Sequence, residues 1–167
     1  MIIEFIQGDS ESSTEHPLFS ADHDNCHCVI AVNLDSGEAH MFHVWEGAFV
    51  GLSPWQKESA EEFVSRPGKK VGVAITGSRC ITMGDTHITL AQEFLQELGI
   101  DFAPPIDVKS GDKTWDVLFH PVTKEVRVTE TNGGVLYEGT LFTAPDYSTS
   151  CASAPDTGLD PVFNEPS

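Results

Sequence analysis

Residues 28–45 decide the fold, and they read Cys28-Val29-Ile30-Ala31-Val32-Asn33-Leu34, then Asp35-Ser36-Gly37-Glu38, then Ala39–Trp45. The first run is apolar and rich in β-branched residues, the second contains turn formers, and the third resumes as a strand. This pattern predicts a β-hairpin whose tip is Ser36-Gly37.

The predicted tip determines which residues of the hairpin face one another. The numbers of facing residues sum to 73, so Cys28 faces Trp45 and Ile30 faces His43. Residues that face each other, or that are two apart in one strand, share a side of the sheet. Cys28 and His43 are therefore expected on one face as diagonal neighbours, about 7–8 Å apart at the backbone. His40 is expected on the opposite face.

Local patterns outward from the hairpin predict the remaining elements. On the N-terminal side we expect a first strand at Ile2–Ile6 and an acidic loop over Gln7–Asp24. On the C-terminal side, Ser53-Pro54-Trp55-Gln56 has the capping residues of a helix start, and this helix is expected to end near Ser65. The elements expected after it are Val71–Ile75, a helix from Asp85 or Thr86 to Gly99, Ile100–Ala103, Trp115–Phe119, a strand containing Val126 and Val128, and Val135–Phe142.

This order predicts a single domain of the α/β (α+β) class, with mixed β-sheets, a central hairpin, two main helices and a closing β-meander. A chain of 167 residues is long enough for one sizeable core and short for two. We place the domain at residues 1–142. From Thr143 the composition shifts to Ser, Thr, Ala, Pro and Asp, so residues 143–167 are expected to form an acidic, disordered tail.

The charge of the chain is strongly negative and unevenly placed. Nine Lys and Arg residues stand against 26 Asp and Glu residues, and the formal net charge is −17. All nine bases lie between Lys57 and Arg127, whereas residues 1–56 carry nine acids. Phosphate backbones and anionic lipid surfaces repel such a chain, which argues against nucleic acid and membrane partners. We expect a protein substrate or protein partner with a basic segment; a nucleic-acid mimic is a further reading of the charge.

The lack of a recognisable targeting signal and the cysteine usage favour a cytoplasmic protein. No stretch approaches the roughly 20 apolar residues of a spanning helix, and Met1–Ile6 lacks the basic segment of a signal peptide. The four cysteines, Cys26, Cys28, Cys80 and Cys151, do not suggest a disulfide scaffold in a chain of this length. A reducing compartment is therefore expected, with export by a route without a cleaved signal as the alternative.

Cysteine and histidine residues concentrate around the hairpin. The run His23-Asp24-Asn25-Cys26-His27-Cys28 is followed by His40 and His43 in the next strand. A Cys beside a His is the minimal unit of thiol nucleophilic catalysis, because the imidazole takes the thiol proton and frees the sulfur to attack an acyl or amide carbon. The same residue types bind zinc and copper, so a metal site is a rival interpretation, although the spacing is not that of a standard zinc finger. A buried Cys packed beside a His without any chemistry also fits the pattern.

Two runs of the hairpin, Cys28–Asp35 and Met41-Phe42-His43, together suggest a family. The chain resembles the CheD-type chemoreceptor glutamine deamidases, which share a fold with the catalytic domain of the cytotoxic necrotizing factors. In that family a Cys opens an apolar strand and the next strand carries Met-x-His. The resemblance continues in order through Val73–Ser78, Met83–His87, Phe94–Ile100 and Val117–Val128. It implies a CheD-like fold and hydrolysis of a glutamine side-chain amide, with no cofactor and no metal.

The resemblance also implies roles for individual residues. Cys28 would attack the carboxamide carbon of a protein glutamine, and His43 would protonate the departing ammonia before water hydrolyses the thioester. The Thr that orients the His in the family falls near Asp22, so Asp22, or alternatively Asp24, is expected to orient His43. Cys26 is an alternative nucleophile, because it shares a face with Cys28 if the strand extends that far.

Trp45 and Trp55 flank the connection between the hairpin and the next helix, and we expect them to line a substrate groove. The sequence thus predicts a cysteine hydrolase of the glutamine deamidase type. The alternatives are a non-catalytic acidic protein on the same fold that binds a basic protein partner, and a small Cys/His metal-binding protein. The acids around Cys28 would raise the pKa of its thiol unless His43 stays protonated beside it.

Overall fold

Strands make up most of the structure, and two helices accompany them within the described residues. The computed structural model describes residues 1–5, 9–24, 26–44, 52–77 and 91–143. In chain order the elements are β1 (Ile3–Phe5), β2 (Ser10–Ser13), β3 (Leu18–His23), β4 (His27–Asn33), β5 (Ala39–Val44), α1 (Pro54–Ser65), β6 (Lys70–Thr76), α2 (91–97), β7 (Ile100–Phe102), β8 (Ile106–Asp107), β9 (Trp115–Phe119), β10 (Glu125–Glu130) and β11 (Val135–Thr140). The class is mixed α+β. No helix in this part of the chain is long and apolar enough to cross a membrane.

The strands form two mixed sheets. The first, the hairpin sheet, has the order β2-β5-β4-β6-β7, with β8 also paired to β6. The second, the meander sheet, has the order β1-β3-β9-β10-β11. Its last three strands are antiparallel neighbours, which confirms the predicted closing meander. The predicted hairpin is also confirmed, because β4 and β5 pair antiparallel at the centre of the first sheet.

Strand β4 is buried along its whole length because both faces of the hairpin sheet are covered. Cys28, Ile30 and Val32 pack into the core between the two sheets. Val29 and Ala31 point the other way, into a second core that α1 and α2 complete. The layers therefore run from helices to hairpin sheet to meander sheet, and the side chain of Cys28 lies between the sheets.

The turn of the central hairpin lies one residue earlier than predicted. The backbone N–H of Asn33 donates to the carbonyl of Glu38 at 2.8 Å, so the tip is Asp35 and Ser36. The side-chain Oδ1 of Asn33 accepts hydrogen bonds from the N–H groups of both tip residues, at 3.0 and 3.2 Å. Such an Asx turn begins the reversal at the asparagine. Gly37 then closes the loop with a φ of +81°, a conformation that glycine adopts without strain.

The earlier turn corrects the predicted pairing while preserving its parity. Cys28 pairs with His43 and not with Trp45, so the numbers of facing residues sum to 71 instead of 73. A register change of two residues leaves every side chain on its expected face. Cys28 and His43 therefore share one face, directly opposite each other instead of diagonal, and His40 lies on the other face.

The helix ends follow the predicted caps. Ser53 Oγ accepts from the N–H of Gln56 at 3.2 Å, and Gln56 Oε1 accepts from the N–H of Ser53 at 3.0 Å. This capping box starts α1, which ends at Ser65 as predicted. Gly99 follows α2 with a φ of +102°, as expected for a glycine at a helix C-terminus. The predicted start of the second helix, and the predicted tail from residue 144 onward, lie outside the described residues.

The prediction of a loop over residues 7–24 is wrong, since this segment contains β2 and β3. Ser10–Ser13 is a polar strand at the edge of the hairpin sheet, and it pairs with β5. An edge strand of this kind needs no apolar face, so its sequence resembles a loop. Leu18, Ser20 and His23 are the buried residues of β3, which pairs with both β1 and β9.

Candidate active site

A bulge in β3 brings two polar side chains into the core between the sheets. Ser20 pairs with Val117 and His23 with Trp115, so three steps along β3 match two along β9. Asp22 takes up the extra residue, with a φ of +60°. In a regular strand Ser20 and His23 would point to opposite faces, but the extra residue turns both inward. Both side chains are fully buried.

Cys28 and His43 face each other across the hairpin sheet. The N–H of His43 donates to the carbonyl of Asp9 at 3.1 Å, and the carbonyl of His43 accepts from Nε2 of Gln56 at 2.9 Å. The backbone of His43 therefore makes its hydrogen bonds away from β4, so Cys28 and His43 form a non-hydrogen-bonded pair. Side chains approach most closely in such pairs, whose Cα atoms are about 4.5 Å apart. Both residues are 0 % exposed.

The hydroxyl of Ser20 joins two imidazoles. Its Oγ lies 2.9 Å from Nδ1 of His43 and 2.8 Å from Nε2 of His23, within hydrogen-bond distance of both. The rings of His23 and His43 are stacked, with centroids 3.7 Å apart and planes at 11°. His23 in turn stacks on Trp115 at 4.4 Å and 18°. Ser20, His23, Cys28, His43 and Trp115 are called the histidine cluster below.

Three buried ring nitrogens of the histidine cluster have no hydrogen-bond partner among the described residues: His23 Nδ1, His43 Nε2 and Trp115 Nε1. A buried polar atom without a partner costs about 1–3 kcal/mol. Protein interiors keep few of them, and those that persist often mark chemical function. His40, on the other face of the hairpin sheet, shares this feature, so the unpaired nitrogens alone do not single out the cluster.

Burial determines the protonation states in the cluster. It raises the pKa of the Cys28 thiol and lowers the pKa of His43 to about 4. Burial also lowers the pKa of His23, its neighbours His43 and His27 lower it further, and a hydrogen bond to the backbone of Ser20 opposes these shifts. At neutral pH the structure therefore holds a thiol opposite a neutral imidazole. The raised pKa of Cys28 comes from desolvation, whereas the sequence pointed to the surrounding carboxylates as its cause.

Asp22 is not the group that hydrogen-bonds to His43. Asp22 is exposed in the bulge, its N–H bonds to Asp116 Oδ1 at 2.9 Å, and no hydrogen bond joins it to His43. Cys26 is buried immediately before β4. Trp55 is 61 % exposed at the start of α1, and Trp45 lies outside the described residues.

Sequence reasoning did not place Ser20 or Trp115 in the site, and it named His23 only within the Cys/His-rich run, without a role beside His43. Ser20 occupies the position on His43 Nδ1 that was expected for Asp22. The alternation of Leu18 and Ser20 could have indicated an inward hydroxyl, but only knowledge of the bulge would have placed His23 beside it.

His40 is separate from the cluster because it faces the helix layer. Its ring stacks on Phe42 at 4.5 Å and meets the edge of Phe63 at 5.4 Å. Burial, and then the charge of Arg66, lower the pKa of His40 to about 4. Within the described ranges, no group of three or more His, Cys, Asp or Glu side chains is arranged to hold a metal ion.

Comparisons with known proteins add no assignment to this geometry. No protein-family model matches the chain, and a search of curated proteins finds no matching sequence.

Proposed function

We propose that the protein is a cysteine-dependent amide hydrolase, a divergent relative of the CheD-type glutamine deamidases, that converts a protein glutamine side chain to glutamate. The observation that carries this proposal is the direct pairing of Cys28 with His43 while Ser20 occupies the other nitrogen of the same imidazole. A nucleophile, a base and a group that orients the base are the three parts of a thiol hydrolase.

The proposed reaction starts from the Cys28 thiol and the neutral imidazole of His43. His43 Nε2 has no hydrogen-bond partner among the described residues, so the Cys28 thiol is not bonded to it in this structure. Once the two groups come within reach, the Cys28 sulfur attacks the carboxamide carbon and the thiol proton passes to this nitrogen. The tetrahedral intermediate collapses when His43 returns that proton to the departing nitrogen, which releases ammonia and leaves a thioester. His43 then takes a proton from water, the resulting hydroxide attacks the thioester, and the Cys28 thiol is restored as glutamate leaves. Because the pKa of His43 is lowered to about 4, its base form is present throughout the neutral range.

Access to the thiol is the main requirement of this proposal. Cys28 and His43 are fully buried, so a glutamine side chain reaches the sulfur only in a more open conformation than the one described here. Opening would also hydrate the thiol and bring its pKa back toward the ordinary value, since the shift comes from burial.

The charge of the chain supports a basic target. The first 56 residues, which include both Cys28 and His43, carry nine acids and no Lys or Arg. A glutamine flanked by Lys or Arg would therefore bind more readily than one flanked by acids. Cys28 is a free thiol, which fits a reducing compartment such as the cytoplasm.

Deamidation of synthetic peptides tests the proposal. Peptides with a central glutamine and flanking lysines are compared with aspartate-flanked versions, and both ammonia release and conversion of glutamine to glutamate are followed. We expect activity on the basic peptides, loss of activity in Cys28→Ser, and retention in the matched variant Cys26→Ser. Activity that survives in Cys28→Ser would contradict the assignment.

The second candidate is a non-catalytic acidic protein that binds a basic partner. The full burial and protonation of Cys28 favour it, because a binding role needs no accessible thiol. It predicts that wild type and Cys28→Ser bind the lysine-flanked peptide equally and that neither releases ammonia.

A further inference from the structure

The hydroxyl of Ser20 couples the protonation of two imidazoles. A serine hydroxyl has one proton to donate, and Ser20 Oγ lies within hydrogen-bond distance of His43 Nδ1 and His23 Nε2 at once. With both rings neutral, one ring accepts the serine proton and the other donates its own N–H to the serine oxygen. The tautomer of one histidine therefore fixes the tautomer of the other.

Two arrangements satisfy this coupling. In the first, His43 donates from Nδ1 to Ser20, and Ser20 donates to Nε2 of His23. In the second, His23 donates from Nε2, and Ser20 donates to Nδ1 of His43. The two differ at Nε2 of His43, which has no partner among the described residues. That nitrogen carries a lone pair in the first arrangement and a proton in the second.

Only the first arrangement leaves His43 able to take the Cys28 proton. We infer that His23 is a positioning residue: by accepting the hydroxyl proton of Ser20, it holds His43 in the Nδ1–H tautomer, with Nε2 free as the base. This inference rests on the proposed function both for the choice between the two arrangements and for its catalytic consequence. The coupling of the two rings stands on the hydrogen-bond geometry alone.

The stacking of His23 fixes it in this role. Its ring lies between His43, at 3.7 Å, and Trp115, at 4.4 Å, with planes within 18° of both. Turning the ring out of this plane, to present a different nitrogen to Ser20, would break both stacking contacts. His23 is fully buried, so bulk water does not reach its Nε2.

Two substitutions separate the hydrogen bond from the stacking. His23→Phe keeps an aromatic ring between His43 and Trp115 but removes the acceptor for Ser20. His23→Gln removes the ring but places an amide oxygen near the position of Nε2, where it accepts the serine proton. Ser20→Ala removes the coupling itself.

Nitrogen-15 NMR of histidine-labelled protein at about pH 7 reads the tautomer of His43 directly. We expect Nδ1–H in the wild type and in His23→Gln, and a shift toward Nε2–H in His23→Phe, where the freed hydroxyl donates to Nδ1. His43 as Nε2–H in the wild type would overturn the inference even if no variant folds. An unchanged Nδ1–H tautomer in folded His23→Phe would overturn it as well.

Deamidation of the lysine-flanked peptide supplies a second, independent readout. We expect a loss of about 100-fold in His23→Phe, typical of a misplaced general base, and near wild-type activity in His23→Gln. If the wild type is active and His23→Phe is equally active, the positioning role is refuted while the proposed function stands. A tautomer that responds as expected in a protein without deamidase activity would support the positioning role and refute the proposed function.

Discussion

Replacing His40 with leucine is expected to make the protein more resistant to acid. His40 is 6 % exposed and packs against Phe42 and Phe63, and neither ring nitrogen has a hydrogen-bond partner among the described residues. Its pKa is lowered to about 4 from an ordinary value of 6.5. Between these two values the unfolded chain binds more protons at His40 than the folded chain does. The free energy of unfolding therefore falls as the pH falls through this window.

The size of the effect follows from the two pKa values. Between about pH 7.5 and about pH 5, the neutral state of His40 accounts for a loss of about 2 kcal/mol in the free energy of unfolding. The variant His40→Leu lacks this group, so its decrease over the same interval is expected to be smaller than that of the wild type by about 2 kcal/mol. At about pH 7.5 we expect the variant to be at least as stable as the wild type, because leucine buries no unpaired polar atom, a cost of about 1–3 kcal/mol.

Urea unfolding monitored by tryptophan fluorescence at the two pH values measures both differences. His16→Leu is the matched control, since it removes a histidine that is partly exposed in the turn before β3. We expect this control to keep the pH dependence of the wild type. If His40→Leu loses as much stability between the two pH values as the wild type, the assignment of His40 as a buried neutral histidine is wrong.

Three further substitutions and one control variant test the local structure by the same unfolding assay. Ser53→Ala removes the cap of α1 and is expected to cost about 1 kcal/mol; no loss would contradict the capping box. Gly37→Ala places a side chain at a φ of +81° and is expected to cost about 1–2 kcal/mol, whereas Gly134→Ala, with no atom within 4 Å of the added Cβ, is expected to be tolerated. Asn33→Ala removes the side-chain oxygen of the Asx turn and a hydrogen bond to the carbonyl of Pro67 at 2.9 Å, and is expected to cost about 2–3 kcal/mol. Equal stability of Asn33→Ala and the wild type would refute our explanation of the hairpin register.

Local sequence patterns predicted the helix ends and the central hairpin, because these features depend on residues that are close together in the sequence. The caps Ser53 and Gly99 marked helix ends, and the apolar runs around residues 28–34 and 39–44 marked the central hairpin. The register of that hairpin was mispredicted because the side chain of Asn33 starts the turn, and a strand pattern does not show which polar residue will do so. The strand Ser10–Ser13 was missed because an edge strand does not require apolar residues.

The candidate site was predictable only in part. The shared face of Cys28 and His43 follows from strand parity and survives a register error of two residues. The hydrogen-bond partner of the His43 ring could not be predicted from strand parity, because Ser20 comes from the opposite sheet and is 23 residues away in sequence. The inward direction of His23 depends on a bulge, which reverses the side-chain alternation from that point of the strand onward.

Covalent labelling tests whether Cys28 is a nucleophile that His43 activates. The probe is a lysine-flanked peptide in which a chloromethyl ketone replaces the side-chain amide of the glutamine, and mass spectrometry locates the adduct on the folded protein. We expect an adduct on Cys28 and none on Cys26, with labelling strongly slowed in His43→Ala. An adduct confined to Cys26, no adduct on Cys28, or labelling of Cys28 that does not depend on His43 would contradict the proposal.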